Sequence, residues 1–203
     1  MMQLSKRALC IVVSAPSGAG KTTLCELLLK EFPAMSYSVS CTTRSLREGE
    51  KDGRDYIFLN EPEFRHRVEL GDFLEYANVH GCLYGTLRAN VEKALASGRD
   101  VLMDIDVQGA DSVRKLVKSS SGSMLEQAFV DVFIVPPGMD VLKTRLEKRN
   151  LDSEKNIRRR LKNAENEMRR WKDYQYLVVN DDLNEAYGQL MSIVKAEYCR
   201  IVK

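Results

Sequence analysis

The sequence predicts an α/β fold in which helices flank a parallel sheet. Apolar, strand-like runs at 8–14, 101–105, 129–135 and 176–179 alternate with helix-patterned stretches, which is typical of βαβ units. The first run leads directly into a glycine-rich turn, and between residues 37 and 86 the pattern changes to shorter β-like pieces. We therefore expect an α/β core that carries an inserted, more β-rich subdomain.

The composition limits the classes of function. The 203 residues are 44% hydrophobic, which is enough for a sizeable core. No stretch approaches the roughly 18 apolar residues of a membrane span. Lys and Arg total 31 against 29 Asp and Glu, so the overall charge favours neither a nucleic-acid coat nor an acidic membrane surface. We expect no nucleic-acid or membrane partner, and any anion site has to be local.

The cysteines favour a reducing compartment. There are five of them, widely spaced and without a C-x-x-C pair, which argues against a disulfide framework and a zinc knuckle. The apolar run after Lys6 and Arg7 superficially looks like a secretory signal, but it is short and enters the glycine-rich turn as a buried first strand would. A cytoplasmic location is expected.

The stretch SAPSGAGKTT, residues 14–23, nearly fits the phosphate-binding pattern G-x-x-x-x-G-K-[ST]. It lies between an apolar strand and an amphipathic helix, so its amides can converge on phosphate oxygens. The pattern predicts a core of the P-loop NTPase type, with Lys21 reaching the β and γ phosphates and the Thr22 hydroxyl on Mg²⁺. The expected ATP-binding residues of this loop are Ala15, Pro16, Ser17, Gly18, Ala19, Gly20, Lys21, Thr22 and Thr23.

One position of the loop departs from the pattern. Ala15 stands where the first glycine is expected. A methyl group is harmless there if φ is negative and costly only if φ is positive. The departure therefore constrains the backbone without excluding the site.

A carboxylate at the end of a second strand completes the expected metal shell. The segment VLMDID ends an apolar run in Asp104, an arrangement that supports Mg²⁺ and its waters in these folds. Thr22 and Asp104 are therefore the expected metal-shell residues, partly through water.

The inserted segment offers groups for a second phosphate. Two arginines, Arg44 and Arg47, can satisfy phosphate oxygens in a fixed geometry, and Tyr56 and Tyr84 can each add a hydroxyl donor. The segments SCTTRSLR, RDYIF, EYANVHGCLYGT, DID and VVNDD occur in this order.

In these segments and in the phosphate loop the chain resembles guanylate kinases, from about residue 9 to about residue 197. The resemblance implies that Arg44, Arg47, Tyr56 and Tyr84 bind the GMP phosphate. It also implies that Ser40, Glu75, Thr86 and Asp106 surround the guanine. The chemistry agrees, because a carboxylate such as Glu75 can accept from guanine N1–H and N2–H₂, while Ser40 or Thr86 donates to O6.

The later helices are expected to form a lid. Apolar residues from residue 157 onwards repeat at spacings of four and three, which predicts one long helix with a buried stripe made of Ile157, Leu161, Ala164, Met168 and Trp171. Arg160 falls about 60° from that stripe and can border a cleft. The resemblance implies that Arg145, Arg149 and Arg160 contact ATP phosphates or adenine on closure, and that Asn180 lies by the adenine. Asn150 follows the second lid arginine, where the family often has glycine.

The expected reaction is the transfer of the γ-phosphoryl group of MgATP to GMP, with Lys21, Arg44, Arg149 and Arg160 stabilising the transferred charge. No general base is required, because the attacking phosphate has a second pKa of about 6. Oligomeric state and dGMP as a second acceptor stay open. The expected domains are a core (1–36, 99–139 and 163–203), a GMP-binding subdomain (37–88), a return helix (89–98) and a lid (140–162).

Three alternatives compete with this hypothesis. A P-loop GTPase predicts an N-K-x-D motif, which the sequence lacks. A non-catalytic guanylate-kinase-like interaction module typically lacks an intact Gly-Lys-Thr loop, which this chain has. Another nucleoside monophosphate kinase is the nearest rival, and Glu75 with Ser40 favours guanine over adenine.

Overall fold

The computed structural model describes residues 7–79, 81–148 and 154–201. Within those residues the strands, labelled β1 to β9 in chain order, are Cys10–Ser14, Ser36–Tyr37, Cys41–Thr42, Ile57–Phe58, Phe73–Val79, Cys82–Leu87, Val101–Asp104, Phe129–Val135 and Tyr176–Val179. The helices, α1 to α8, are Lys21–Glu31, Glu61–Glu69, Arg88–Ala96, Val107–Ser119, Met124–Ala128, Met139–Lys148, Glu154–Met168 and Leu183–Tyr198.

A parallel sheet forms the centre of the fold, as the sequence predicts. Its strand order in the described chain is β2-β7-β1-β8-β9, and each neighbouring pair is parallel. Strand β1 lies in the middle, with Val13 opposite Asp104 of β7. Because parallel strands end at the same edge, the loop after β1 and the acidic end of β7 lie side by side.

The central strand is apolar along its length because both of its faces are covered. Cys10 and Val12 pack into a cluster with residues of α3 and α4, whereas Ile11 and Val13 pack into a second cluster with residues of α1 and α8. This alternation follows from the two-residue period of a strand. The two clusters hold the strand that carries the phosphate loop rigidly in place.

A second, smaller sheet occupies the inserted segment. Its order is β4-β3-β6-β5, with β3 and β6 antiparallel and β5 and β6 antiparallel. A small core of Cys41, Phe64 and Phe73 lies beneath it, and the Phe64 and Phe73 rings stack at 4.5 Å between centroids. The β-rich character expected for this segment is confirmed.

Helices α6 and α7 pack together through Leu142, Leu146 and Ala164. The prediction that the buried stripe of α7 continues to Trp171 is wrong. The α-helix ends at Met168, a 3₁₀ turn follows over Arg169–Asp173, and Trp171 is 46% exposed. The tighter turn rotates the indole away from the stripe, since it has three residues per turn instead of 3.6. The expected boundary between lid and core at residue 162 falls inside α7.

No helix in the described part of the chain has both the length and the apolar character needed to cross a membrane.

Candidate functional site

The phosphate loop joins the end of β1 to the start of α1. Gly18 and Gly20 take φ values of 94° and 92°, which favour glycine. Gly20 precedes the helix without a side-chain cap, so the first-turn amides of α1 remain available to an anion. Residues 15–23 all line one cavity of about 410 Å³, the loop cavity.

Lys21 lies at the junction of two cavities. Its Nζ donates to the Ile105 carbonyl at 2.9 Å and forms an ion pair with Asp104. Burial alone lowers the pKa of Lys21, but the charge of Asp104 and the hydrogen bond to it outweigh burial, and the pKa lies above its usual value. Lys21 therefore stays charged at neutral pH.

The second cavity has a volume of about 230 Å³ and is called the acceptor cavity below. It shares Lys21, Val79 and Asp106 with the loop cavity. Five of the residues expected to bind GMP line it, namely Ser40, Tyr56, Glu75, Tyr84 and Asp106. Residues that are far apart in the sequence thus meet on one wall, directly beside the phosphate loop.

Glu75 is the buried carboxylate of the acceptor cavity. It lies on β5 opposite Thr86 of β6, whose hydroxyl donates to Glu75 Oε1 at 2.6 Å. Glu75 is only 5% exposed, and burial raises the pKa of its carboxyl to about 7, although the Thr86 hydrogen bond acts in the opposite direction. The charge of Asp106 raises the pKa further. A ligand that donates two hydrogen bonds would favour the ionised form.

Asp106 caps helix α4 and separates the two cavities. Its Oδ1 accepts from the Gly109 amide at 2.9 Å, and Oδ2 accepts from Gln108 Nε2 at 3.1 Å. The same Gln108 nitrogen is 3.3 Å from the Asn78 carbonyl of β5, so it ties α4 to the inserted sheet. One oxygen of Asp106 is therefore committed to the helix cap.

The two arginines of the inserted segment differ in their surroundings. Arg44 donates to both oxygens of Glu50, at 3.0 and 2.7 Å, and its guanidinium carbon lies 5.2 Å from the centroid of the Tyr56 ring. Arg47 is exposed, and its backbone amide donates to Glu50 Oε2 at 2.8 Å. The Tyr56 and Tyr84 rings meet edge to face at 5.9 Å. Arg44 is pre-oriented by these contacts, whereas the Arg47 side chain extends into solvent.

The expected lid arginines take different positions. Arg160 of α7 donates to the Ser17 hydroxyl of the phosphate loop, at 2.7 Å from Nη2 and 3.2 Å from Nε. Arg145 of α6 donates to the main-chain carbonyls of Asn180 and Asp181. Arg149 and Asn150 lie outside the described residues.

The residues expected around Mg²⁺ border different cavities. Thr22 is exposed and lines the loop cavity, while Asp104 lines the acceptor cavity and is paired with Lys21. In the described ranges no three Asp, Glu, His or Cys side chains form a metal-binding cluster. The hydroxyl and carboxylate oxygens are nevertheless of the hard type that Mg²⁺ prefers.

Several residues of this site were not predicted from the sequence. Glu167 and Asn163 of α7 and Gln108 of α4 line the loop cavity. Burial and the charge of Asp106 raise the pKa of Glu167, against the opposing effect of the Ser17 amide. No side chain fits at Gly109, because a Cβ there would lie 2.5 Å from Glu75 Oε2. The sequence signal for Gly109 is a glycine inside an otherwise good helix.

Fold and site together define a P-loop phosphotransferase, in which a phosphate loop and an acceptor cavity meet at one lysine.

A family model described as guanylate kinase matches residues 7–197. A guanylate kinase of Bradyrhizobium diazoefficiens is 45% identical over 194 residues, which cover 96% of this chain and 85% of that protein. One from Rhodopseudomonas palustris is 48% identical over 194 residues, covering 96% of this chain and 84% of its own. The crystal structure of guanylate kinase from Anaplasma phagocytophilum matches with a TM-score of 0.76 and 33% identity, covering 97% of this chain and 89% of its own. The chain belongs to the guanylate kinase family.

Proposed function

We propose that this chain transfers the γ-phosphoryl group of ATP to GMP, giving ADP and GDP. Family membership makes it an ATP:GMP phosphotransferase, a nucleoside monophosphate kinase. The observation that carries the proposal in this chain is the junction at Lys21, which borders both the loop cavity and the acceptor cavity. The non-catalytic interaction module is not favoured, because Lys21 is intact and lies in the site.

GMP is proposed to bind in the acceptor cavity with its base against Glu75. The ionised carboxylate would accept from guanine N1–H and N2–H₂, while Ser40 and Thr86 supply hydroxyl groups and Asp106 an additional acceptor. Burial of Glu75 supports this role, since hydrogen bonds to a buried charged group discriminate strongly between bases.

The phosphate of GMP is proposed to bind Arg44, Arg47, Tyr56 and Tyr84. The contact of Arg44 with the Tyr56 ring supports a common phosphate site, because it brings a cation and a hydroxyl donor to the same wall. Arg47 would have to turn inwards from solvent to take part.

We also propose that the chain is divided into a core, a GMP-binding subdomain, a return helix and a lid, with the bounds expected from the sequence.

ATP is proposed to bind with its phosphates in the loop formed by residues 15–23, with Arg145, Arg149 and Asn180 nearby. Mg²⁺ would be held by Thr22 and, through water, by Asp104, and it would neutralise charge on the phosphates. The oxygen-only chemistry of these two side chains fits Mg²⁺. Because no metal cluster of protein carboxylates exists in the described residues, most ligands would come from the nucleotide and from water.

In the transfer step a phosphate oxygen of GMP forms a bond to the γ-phosphorus as the bond from that phosphorus to the β–γ bridging oxygen breaks. The new bond takes its electron pair from the GMP phosphate oxygen, and the pair of the broken bond stays on the β-phosphate oxygen of ADP, so no proton has to move. The chain's contribution is alignment and positive charge from Lys21, Arg44, Arg149 and Arg160.

We propose a cytoplasmic location, supported by five free cysteines.

A coupled assay of ADP release tests the proposal. Each assay contains ATP and Mg²⁺, and the acceptors GMP, dGMP, AMP, CMP and UMP are compared with one another and with a matched blank lacking acceptor. We expect GMP to be the preferred acceptor and AMP to be negligible. Equal rates with all five acceptors, or no acceptor-dependent ADP release, would contradict the proposal, while the rate with dGMP decides whether the acceptor includes deoxynucleotides.

A further inference from the structure

Asn180 lies behind the phosphate loop and not on the wall of the loop cavity. It follows β9, is only 4% exposed, and its backbone amide donates to the Val135 carbonyl at 2.7 Å. Its side-chain Nδ2 donates to the Ala19 carbonyl at 2.7 Å. This hydrogen bond connects residues 161 positions apart in the sequence.

The same amide is in close contact with the next residue of the loop. A Cβ on Gly20 would lie 2.3 Å from Asn180 Nδ2, which leaves no room for any side chain at this position. Gly20 is therefore required for two reasons, its φ of 92° and the approach of Asn180. The side chain of Asn180 covers the rear of the Ala19–Gly20 peptide.

The orientation of that peptide decides where its N–H group points. In a trans peptide the carbonyl and the N–H group point in opposite directions, and the described chain has no cis peptide bond. Because Asn180 Nδ2 binds the Ala19 carbonyl, the Gly20 N–H group points the opposite way, away from Asn180. That group is one of the donors that a phosphate needs.

Helix α6 contacts both Asn180 and the phosphate loop. Arg145 Nη2 donates to the Asn180 carbonyl at 2.9 Å and to the Asp181 carbonyl at 3.3 Å. On the same helix face, Leu142 and Leu146 approach Gly18 so closely that a Cβ there would meet them at 3.0 and 2.9 Å. One face of α6 thus contacts the loop directly and also holds Asn180.

We propose that Asn180 is a positioning residue that aims the phosphate loop, with Arg145 holding its main chain, and that it does not read the adenine base. Only the kinetic test of this inference rests on the proposed function, whereas the binding test does not. A residue that aims the loop affects every triphosphate donor equally, whereas a base reader changes the preference among donors.

The substitution Asn180→Leu tests this, because it keeps the size of the side chain, adds no charge and removes the donor to Ala19. The matched control is Asn184→Leu on the exposed first turn of α8, where the backbone amide of Asn184, which the substitution keeps, donates to Asp182 Oδ1. Three quantities are measured: kcat/KM with ATP, kcat/KM with CTP, and the affinity for inorganic tripolyphosphate by calorimetry.

We expect Asn180→Leu to lower all three by a similar factor of at least about ten, the cost of one buried carbonyl left without a donor, and Asn184→Leu to lower none. A changed ratio of ATP to CTP with unchanged tripolyphosphate affinity would overturn the inference. If the leucine variant does not fold, Asn180→Asp, which keeps the shape and also loses the donor, is measured in the same way. If the wild type binds tripolyphosphate but does not phosphorylate GMP, the proposed function fails while the binding arm still decides the inference.

Discussion

Arg160 of helix α7 hydrogen-bonds to the hydroxyl of Ser17 in the phosphate loop, at 2.7 Å from Nη2. Two turns further along the same helix, Glu167 lines the loop cavity together with Ser17. The Ser17 amide acts to lower the pKa of Glu167. A cation and a carboxylate from one helix therefore converge on a single loop residue. Since neither touches the acceptor cavity in the described chain, changes at this contact should act on phosphate chemistry and leave the reading of guanine intact.

Removal of Arg160 should lower the rate of phosphoryl transfer. We expect Arg160→Ala to reduce kcat by about 100-fold or more, which is the typical loss for one preorganised charge-stabilising donor. The affinity for GMP, measured by calorimetry, should stay within about threefold of wild type. Arg159→Ala, one position away and exposed, is the matched control and should retain activity. A parallel loss of GMP affinity with unchanged kcat would instead make Arg160 a ground-state ligand.

Removal of Glu75 should weaken the preference for guanine. Glu75→Ala is expected to depress kcat/KM for GMP at least about tenfold, equivalent to ~1.4 kcal/mol. Wild-type AMP turnover should be negligible, because adenine turns its N1 lone pair towards the carboxylate and has no 2-amino group. Steady-state kinetics with both acceptors provide the ratio of kcat/KM for GMP to kcat/KM for AMP. If that ratio is the same in the variant, the base is read by other residues.

The raised pKa of Glu75 should make the free energy of unfolding depend on pH. Folding raises this pKa from an ordinary 4.5 to about 7, so the native state binds the proton more tightly than the unfolded state. The contribution of Glu75 to stability therefore falls as the pH rises from about 4.5 to 7, by roughly 3 kcal/mol. Glu75→Gln removes this dependence, so its stability relative to wild type should be greater at pH 8 than at pH 5.

Urea unfolding of both proteins at the two pH values measures the difference. A constant difference in the free energy of unfolding between Glu75→Gln and wild type would show that Glu75 does not titrate in this range.

Gly109→Ala should weaken the binding of GMP without a comparable loss of thermal stability. A Cβ there would lie 2.5 Å from Glu75 Oε2, so the carboxylate has to move while helix α4 gains a better helix former. We expect KM for GMP to rise several-fold and the melting temperature to stay within a few degrees of wild type. Gly188→Ala, in open space on helix α8, is the control for helix propensity. An unchanged KM for GMP would show that Glu75 can shift without effect.

The parallel sheet and the loop could be predicted because their signals are local. Apolar runs such as 129–135 identify buried strands, and the Gly-Lys-Thr motif identifies the turn between strand and helix. The end of α7 could not be predicted in this way, because Trp171 continues the four-and-three spacing even though the backbone has already tightened into a 3₁₀ turn. Periodicity records which residues are apolar and not where the helix ends.

Five of the expected acceptor residues line one cavity, but the contacts of the site residues with distant parts of the chain could not be read from the sequence. The contact of Arg160 with Ser17 and that of Asn180 with Ala19 each join residues more than a hundred positions apart. Such contacts depend on how α7 lies against the loop and on the place of β9 in the sheet, where it pairs with β8 beside β1. No residue pattern near Asn180 indicates that its side chain faces the rear of the loop.

If Arg44 binds the GMP phosphate as proposed, its pairing with Glu50 means that the phosphate has to replace a carboxylate. The carboxylate is tethered six residues away, so its effective concentration at the guanidinium is far above that of any free anion in solution. A small anion such as sulfate has to displace this built-in competitor and gains only the difference between two similar hydrogen-bonded pairs. A nucleotide brings a base as well, and the binding energy of that base can tip the exchange. In the proposed GMP site, this competition would therefore disfavour bare phosphate relative to the nucleotide.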